Sequence, residues 1–210
     1  MNPTPASNPL AVDPPVPHLA MAEAMLLGAL GQIAWARRYT RELLAATPRE
    51  LWFQCPRLGQ LGAEASVEPS VAGEQASSLA VTNIAWQVGH LAVSQYGLLM
   101  FRIHGRRDDD LELVPGKFRK TFSRGSDPSS PSVAQYSAEE LLDRFDRIHQ
   151  AALLGLTTGF DPRALLEPVD MPYAVYPINL GGILFCPLHE QIHSGQIGLI
   201  RRGLGLAPVR

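Results

Sequence analysis

His189-Glu190-Gln191-Ile192-His193 stands in an apolar run with helical patterning from about Asn179 to Arg202, ended by Gly203. A spacing of four residues puts the two imidazoles on one helix face, about one turn apart, where both reach one metal ion. A second apolar run contains Trp86-Gln87-Val88-Gly89-His90 and offers a third imidazole. If the two helices pack side by side, three neutral nitrogens converge on one divalent cation. Three protein ligands and an open position suit a catalytic metal, whereas a structural zinc usually takes a fourth ligand. Each part also has an ordinary reading. An HxxxH pair is commonly a half-exposed pair, and a histidine on an apolar helix is commonly a hydrogen-bonded core residue.

Working outward, four segments carry helical patterning. The first runs from about Pro17 to Ala46, with Arg37, Arg38, Arg41 and Glu42 as a polar exit turn and Thr47-Pro48 as the stop. The second runs from about Ser77 or Ser78 to His104 and is closed by Gly105. It is apolar on more than one face, as a central bundle helix would be. The third opens on Ser137 with Glu140 three residues on, a capping-box pattern, and continues with Leu141, Leu142, Phe145, Ile148, Ala152 and Leu153. The fourth is the run around His189. Arg201 and Arg202 end it where the helix dipole favours cations, and Pro187 inside it predicts a kink. Segments 54–75 and 105–136 read as long loops rich in Gly, Pro, Ser and charge. Pro168 to Pro177, with Tyr173 and Tyr176, reads as an extended stretch across the bundle end. No internal repeat and no strand alternation is present. The pattern predicts an all-α four-helix bundle with long crossover loops over residues 18–204. A disordered Pro-rich leader, 1–17, precedes it, and a short tail, 205–210, follows.

The 210 residues are 46% hydrophobic and 18% charged, enough to bury one substantial core. With a net charge of −2 and no single basic stripe, nucleic acid is not the expected partner. Two cysteines, Cys55 and Cys186, are too few for a disulfide scaffold, and the cytoplasm is the default location. Leu19 to Ala36 raises the membrane question. Glu23 and Gln32 interrupt it, and Gly28 and Gly31 suit tight packing, so it reads as a bundle helix and no membrane partner is expected.

On the second helix Asn83 and Ser94 share the face of His90, and on the fourth Gln196 follows His189 by seven. Polar groups on inward faces need partners, and side chains that orient metal ligands supply them. At this point the chain resembles a known family. Ile84-Ala85-Trp86-Gln87-Val88-Gly89-His90-Leu91-Ala92, followed by His189-Glu190-Gln191-Ile192-His193-Ser194-Gly195-Gln196-Ile197, is similar to the DinB-like superfamily over residues 18–204. That resemblance implies a four-helix bundle with a divalent metal held by His90, His189 and His193, the ion being Zn, Ni, Fe or Mn. It implies a small-molecule substrate, with low-molecular-weight thiols such as bacillithiol or mycothiol among those of characterised relatives. The expected function is a metal-dependent enzyme, a thiol-dependent S-transferase or a hydrolase, with Asn83, Ser94 and Gln196 orienting bound groups and the catalytic residues unknown. The competing expectation is a non-catalytic bundle that binds a metal or ligand as a sensor, stress-response accessory or dimer scaffold. A homodimer is expected in either case.

Three further features are weighed and set aside. HEQIH matches the zinc-protease pattern HExxH, but no His, Asp or Glu follows His193 to complete that ligand set. His18, His104 and His149 read as leader, helix-end and charged-face residues. Cys186, Trp86, Tyr173 and Tyr176 read as packing residues.

Overall fold

A computed structural model describes residues 15–56 and 82–209. These residues form helices and turns, with no strand among them and a single isolated bridge between Pro168 and Ile178. The expected all-α class is observed. The disorder expected for the leader and most of the 54–75 loop lie outside the described residues. The second helix, expected from near Ser77 or Ser78, starts instead at Ile84, because the extended backbone of Asn83 caps it there.

Helix α1, Leu19–Ala45, starts where His18 adopts an extended backbone and its Nδ1 accepts from the Met21 N–H at 3.3 Å. A residue read as part of the leader is therefore the cap of the first helix. By length and composition α1 is long and apolar enough to cross a membrane. In the fold, one face of it (Ala22, Leu26, Ala29, Ile33, Ala36, Leu43, Leu44) is buried and packs chiefly on the last helix. Helix α2, Ile84–Tyr96, is capped by Asn83, whose side-chain oxygen takes the Trp86 N–H at 2.8 Å. It passes through a π-helical turn, Gly97–Phe101, into a last turn α3, Arg102–His104, ended by Gly105 at φ 72°. The fully buried Ile84, Ala85 and Val88 mark α2 as the central helix expected.

The stretch 105–136, expected as loop, is partly helical. Helix α4, Asp110–Leu113, is tied by the buried Asp110 carboxylate, which accepts from the Tyr96 hydroxyl at 3.0 Å and from the Arg107 N–H at 2.9 Å. Helix α5, Gly116–Phe122, begins after Pro115 and buries Phe118 and Phe122 completely. Two aromatic rings four residues apart on one face gain roughly 1.5–3 kcal/mol each on burial. That gain selects a helix where Gly, Pro and charge pointed to coil.

Helix α6, Ala138–Thr157, has the predicted capping box: Glu140 N–H donates to Ser137 Oγ at 3.1 Å and Ser137 N–H to Glu140 Oε2 at 2.8 Å. It packs on α2. The stretch 168–177 is not extended. Val169 N–H donates to the Pro177 carbonyl at 3.1 Å and Asn179 N–H to the Glu167 carbonyl at 2.9 Å, so the segment folds back on itself. Gly181 permits this, because a Cβ there would stand 2.1 Å from the Tyr176 carbonyl oxygen.

Helix α7, Asn179–Gly203, runs unbroken through Pro187 and packs on α1 and α2. Its Arg201 is 3% exposed and does more than offset its own helix dipole. The guanidinium donates to the carbonyls of Leu43 (3.2 Å) and Ala46 (2.6 Å), to Thr47 Oγ1, and to the Ala207 carbonyl (2.9 Å). It thus adds a donor to the Leu43 carbonyl, which the Thr47 hydroxyl also reaches, and to the Ala46 carbonyl beyond the end of α1, and ties residues after α7 to the bundle.

Candidate metal centre

His90 on α2 and His189 and His193 on α7 meet inside the bundle. One ring nitrogen from each lies within 4.8 Å of those of the other two, and among the described residues no other group of three or more His, Cys, Asp or Glu side chains is this close. The two Nε2 atoms of His189 and His193 are 3.2 Å apart. Ligand nitrogens at 2.0–2.1 Å from one tetrahedral ion stand about 3.4 Å from each other, so this pair has the spacing a shared ion needs.

The rings are oriented from behind. His90 Nδ1–H donates to the Phe122 carbonyl at 2.8 Å, which leaves Nε2 as the ligand atom. Its ring lies parallel to Trp86, 4.6 Å between centroids. His193 Nδ1–H donates to Gln87 Oε1, and the Gln87 amide donates to Thr82 Oγ1 at 3.1 Å, which fixes which way the amide faces. His189 is bounded by Phe185, 5.6 Å between centroids.

All three rings are held neutral, the form that ligates. Burial lowers the pKa of His90 against the opposing effect of the Phe122 carbonyl. Burial, then the neighbouring His90, lowers His189 to about 4. Burial, then His189 and His90, lowers His193 to about 3, with the Gln196 side chain acting the other way.

The expected orienting residues divide. Ser94 lies at the site, its Oγ 3.3 Å from His90 Nε2. Gln196 is exposed, one turn beyond His193. Asn83 sits apart: its oxygen caps α2 and its amide donates to the Pro128 carbonyl at 2.9 Å. A face shared across two turns of helix does not place a side chain at the same depth, and the end of a helix calls for a cap.

Glu190 is buried and paired with Arg37 at 2.9 Å, so the glutamate of HEQIH is not presented to the histidines as a base. Arg37 also donates to Gln95 Oε1 at 2.8 Å, and the Gln95 amide reaches His149 Nδ1 at 3.1 Å. His149 therefore belongs to a buried polar chain, not only to the charged face of α6. Cys186 lies beside this chain, and burial raises its thiol pKa to about 12.

A cavity of about 400 Å³ opens against the cluster, lined by His90, Ser94, Leu98, Tyr173, Phe185 and His189 among others. Tyr173, read as packing, is in its wall. Sequence reading missed Gln87, three residues before His90 and therefore on its face. It also missed the Phe122 carbonyl, which no residue-type signal reveals.

A family model described as the DinB superfamily matches residues 32–197, a span that includes all three histidines. No curated protein and no solved structure matches the chain.

Proposed function

The chain belongs to the DinB superfamily, and from that premise we propose that it is a divalent-metal-dependent enzyme acting on a small molecule. The reaction is a thiol-dependent S-transfer or a hydrolysis. The observation that carries this reading is the 400 Å³ cavity with His90 and His189 in its wall. Histidines serving only to pack the bundle would have no need of an open space beside them. Imidazole suits Zn²⁺, Ni²⁺, Fe²⁺ and Mn²⁺ alike. When bound, such an ion supplies Lewis acidity and favours the ionised form of a thiol or water beside it.

The chain's own groups do the rest. The Phe122 carbonyl and Gln87 hold His90 and His193 with Nε2 forward. Leu98, Tyr173 and Phe185 exclude water from one side of the cavity, and the Ser94 hydroxyl beside His90 orients what enters. Glu190 is committed to Arg37 and takes no proton from the nucleophile. Exposed apolar residues on α1 and α7 (Leu27, Trp35, Leu188, Ile192) suit a homodimer, and the free Cys55 and Cys186 suit the cytoplasm.

The test is metal content by plasma mass spectrometry, on wild type beside His189→Ala/His193→Ala. Near-stoichiometric metal, lost in the variant with helical circular dichroism retained, is the expected result. Absence of metal from both proteins after incubation with Zn²⁺, Ni²⁺ and Mn²⁺ would end the proposal.

A further inference from the structure

Arg102 and Arg124 enter the wall of the cavity that contains His90 and His189, and among the described residues no acidic side chain lines it. Arg102 follows the π-helical turn Gly97–Phe101, a local over-wide turn of a kind frequent at functional sites. The half-buried guanidinium spends one N–H on the Gly97 carbonyl, 3.0 Å away, which fixes it over the cavity side of the turn. A guanidinium has five N–H donors in a planar fork, so most of its capacity stays available. Arg124 comes from the other flank, two residues beyond Phe122, whose carbonyl orients His90.

The surroundings reinforce the positive character. A second concavity shares Arg102 and adds Arg106 and Arg119, again with no acidic lining residue among those described. Asp110 is 4% exposed, and its carboxylate is already bound by Tyr96, which lines this second concavity, and by the Arg107 N–H. Val93, Leu98 and Phe185 give the first cavity an apolar wall between its basic and histidine groups. A compact ligand that meets all three surfaces has an anionic oxygen group, a short apolar middle and a reactive end.

We propose that the cavity takes a small organic acid, its carboxylate paired with Arg102 and Arg124 and its reactive end at the histidine cluster. The placement of the reactive end rests on the metal-centre reading; the carboxylate seat does not.

The experiment compares two probes by titration calorimetry, 3-mercaptopropionate and its neutral counterpart 3-mercaptopropan-1-ol, on metal-loaded protein. One charge-assisted pair favours the carboxylate about ten-fold or more. In Arg102→Gln/Arg124→Gln the preference should fall to within about two-fold, with metal content and affinity for the neutral thiol unchanged. Equal binding of the two probes by wild type, or a preference that survives in the double variant, overturns the proposal. Arg124→Gln alone, at an exposed loop position, should lose several-fold of the preference and guards against a folding defect in the double variant. Succinate titrated into metal-free protein separates the two readings. Binding that the double variant loses supports the arginine seat even where no metal loads, and absence of binding counts against it. Tighter binding of inorganic phosphate than of succinate overturns the carboxylate assignment.

Discussion

The carboxylate of Glu190 lies 2.9 Å from Nε of Arg37, both side chains almost wholly out of solvent, although Glu190 is the residue next to His189 in the chain. The same guanidinium donates to the Phe145 carbonyl at 2.6 Å and lies 3.4 Å from the centroid of the Phe145 ring. Such a pair is a structural commitment: removing one partner leaves a buried charge and costs about 3–5 kcal/mol. Glu190→Gln is therefore expected to keep its metal and lose roughly 3 kcal/mol of stability in urea denaturation. Unchanged stability together with lost metal would place Glu190 in the metal site instead.

Gln87 holds His193 by its Nδ1–H and is itself held by Thr82. Leucine at 87 preserves bulk and removes the acceptor. Loss of such an orienting partner typically weakens a metal by 10–100-fold. Gln87→Leu should show about that loss in a chelator competition, with helical content unchanged; undiminished affinity would mean that the amide orients nothing.

Gly89 leaves room for the Phe122 ring, since a Cβ there would stand 2.4 Å from it. By propensity alone, Gly→Ala within a helix gains up to about 1 kcal/mol. Overpacking a fully buried ring costs about 1–3 kcal/mol and outweighs that gain. Gly89→Ala should be destabilised and should also bind metal more weakly, because Phe122 carries the carbonyl that holds His90. A stabilised variant with normal affinity would refute the close approach.

The metal-free protein should lose stability as pH falls. His189 and His149 titrate in the fold at about 4 and His193 at about 3, chiefly because they are buried, against 6.5 for an ordinary histidine. Between 6.5 and those values the unfolded chain binds protons that the folded chain refuses, so acidification favours unfolding. Stability from this source is complete above about 6.5 and is lost progressively below it. Urea midpoints at several pH values check this. His149→Gln, which keeps an acceptor for the Gln95 amide, should flatten the slope; an unchanged slope would remove His149 from the account.

Much of this was readable from residue spacing. The Ser137/Glu140 cap, the main helical runs and the shared face of His189 and His193 follow from periodicities that local chemistry imposes, whereas the convergence of His90 on that pair was implied by the family resemblance more than by spacing. What escaped depends on contacts far apart in the chain. Arg37 reads as the polar exit of a helix until Glu190, 153 residues later, is set against it. Segment 105–136 reads as coil because Gly, Pro and charge outnumber the two phenylalanines whose burial decides its fold. Asn83 was misplaced for the converse reason, since a local duty as a cap overrode its position on the face of His90.

Arg201 joins the end of α1, its own helix and the residues that follow, and it shares α7 with two of the three clustered histidines. A polypeptide emerges from the ribosome N-terminus first. Through most of synthesis, then, α1 has exposed carbonyls at its end and His90 has neither of its companions. Sealing the bundle and assembling the histidine cluster become one late event, set by the arrival of a single helix. Until then the nascent chain has only one of the three imidazoles, and it acquires the cluster as it acquires its final packing.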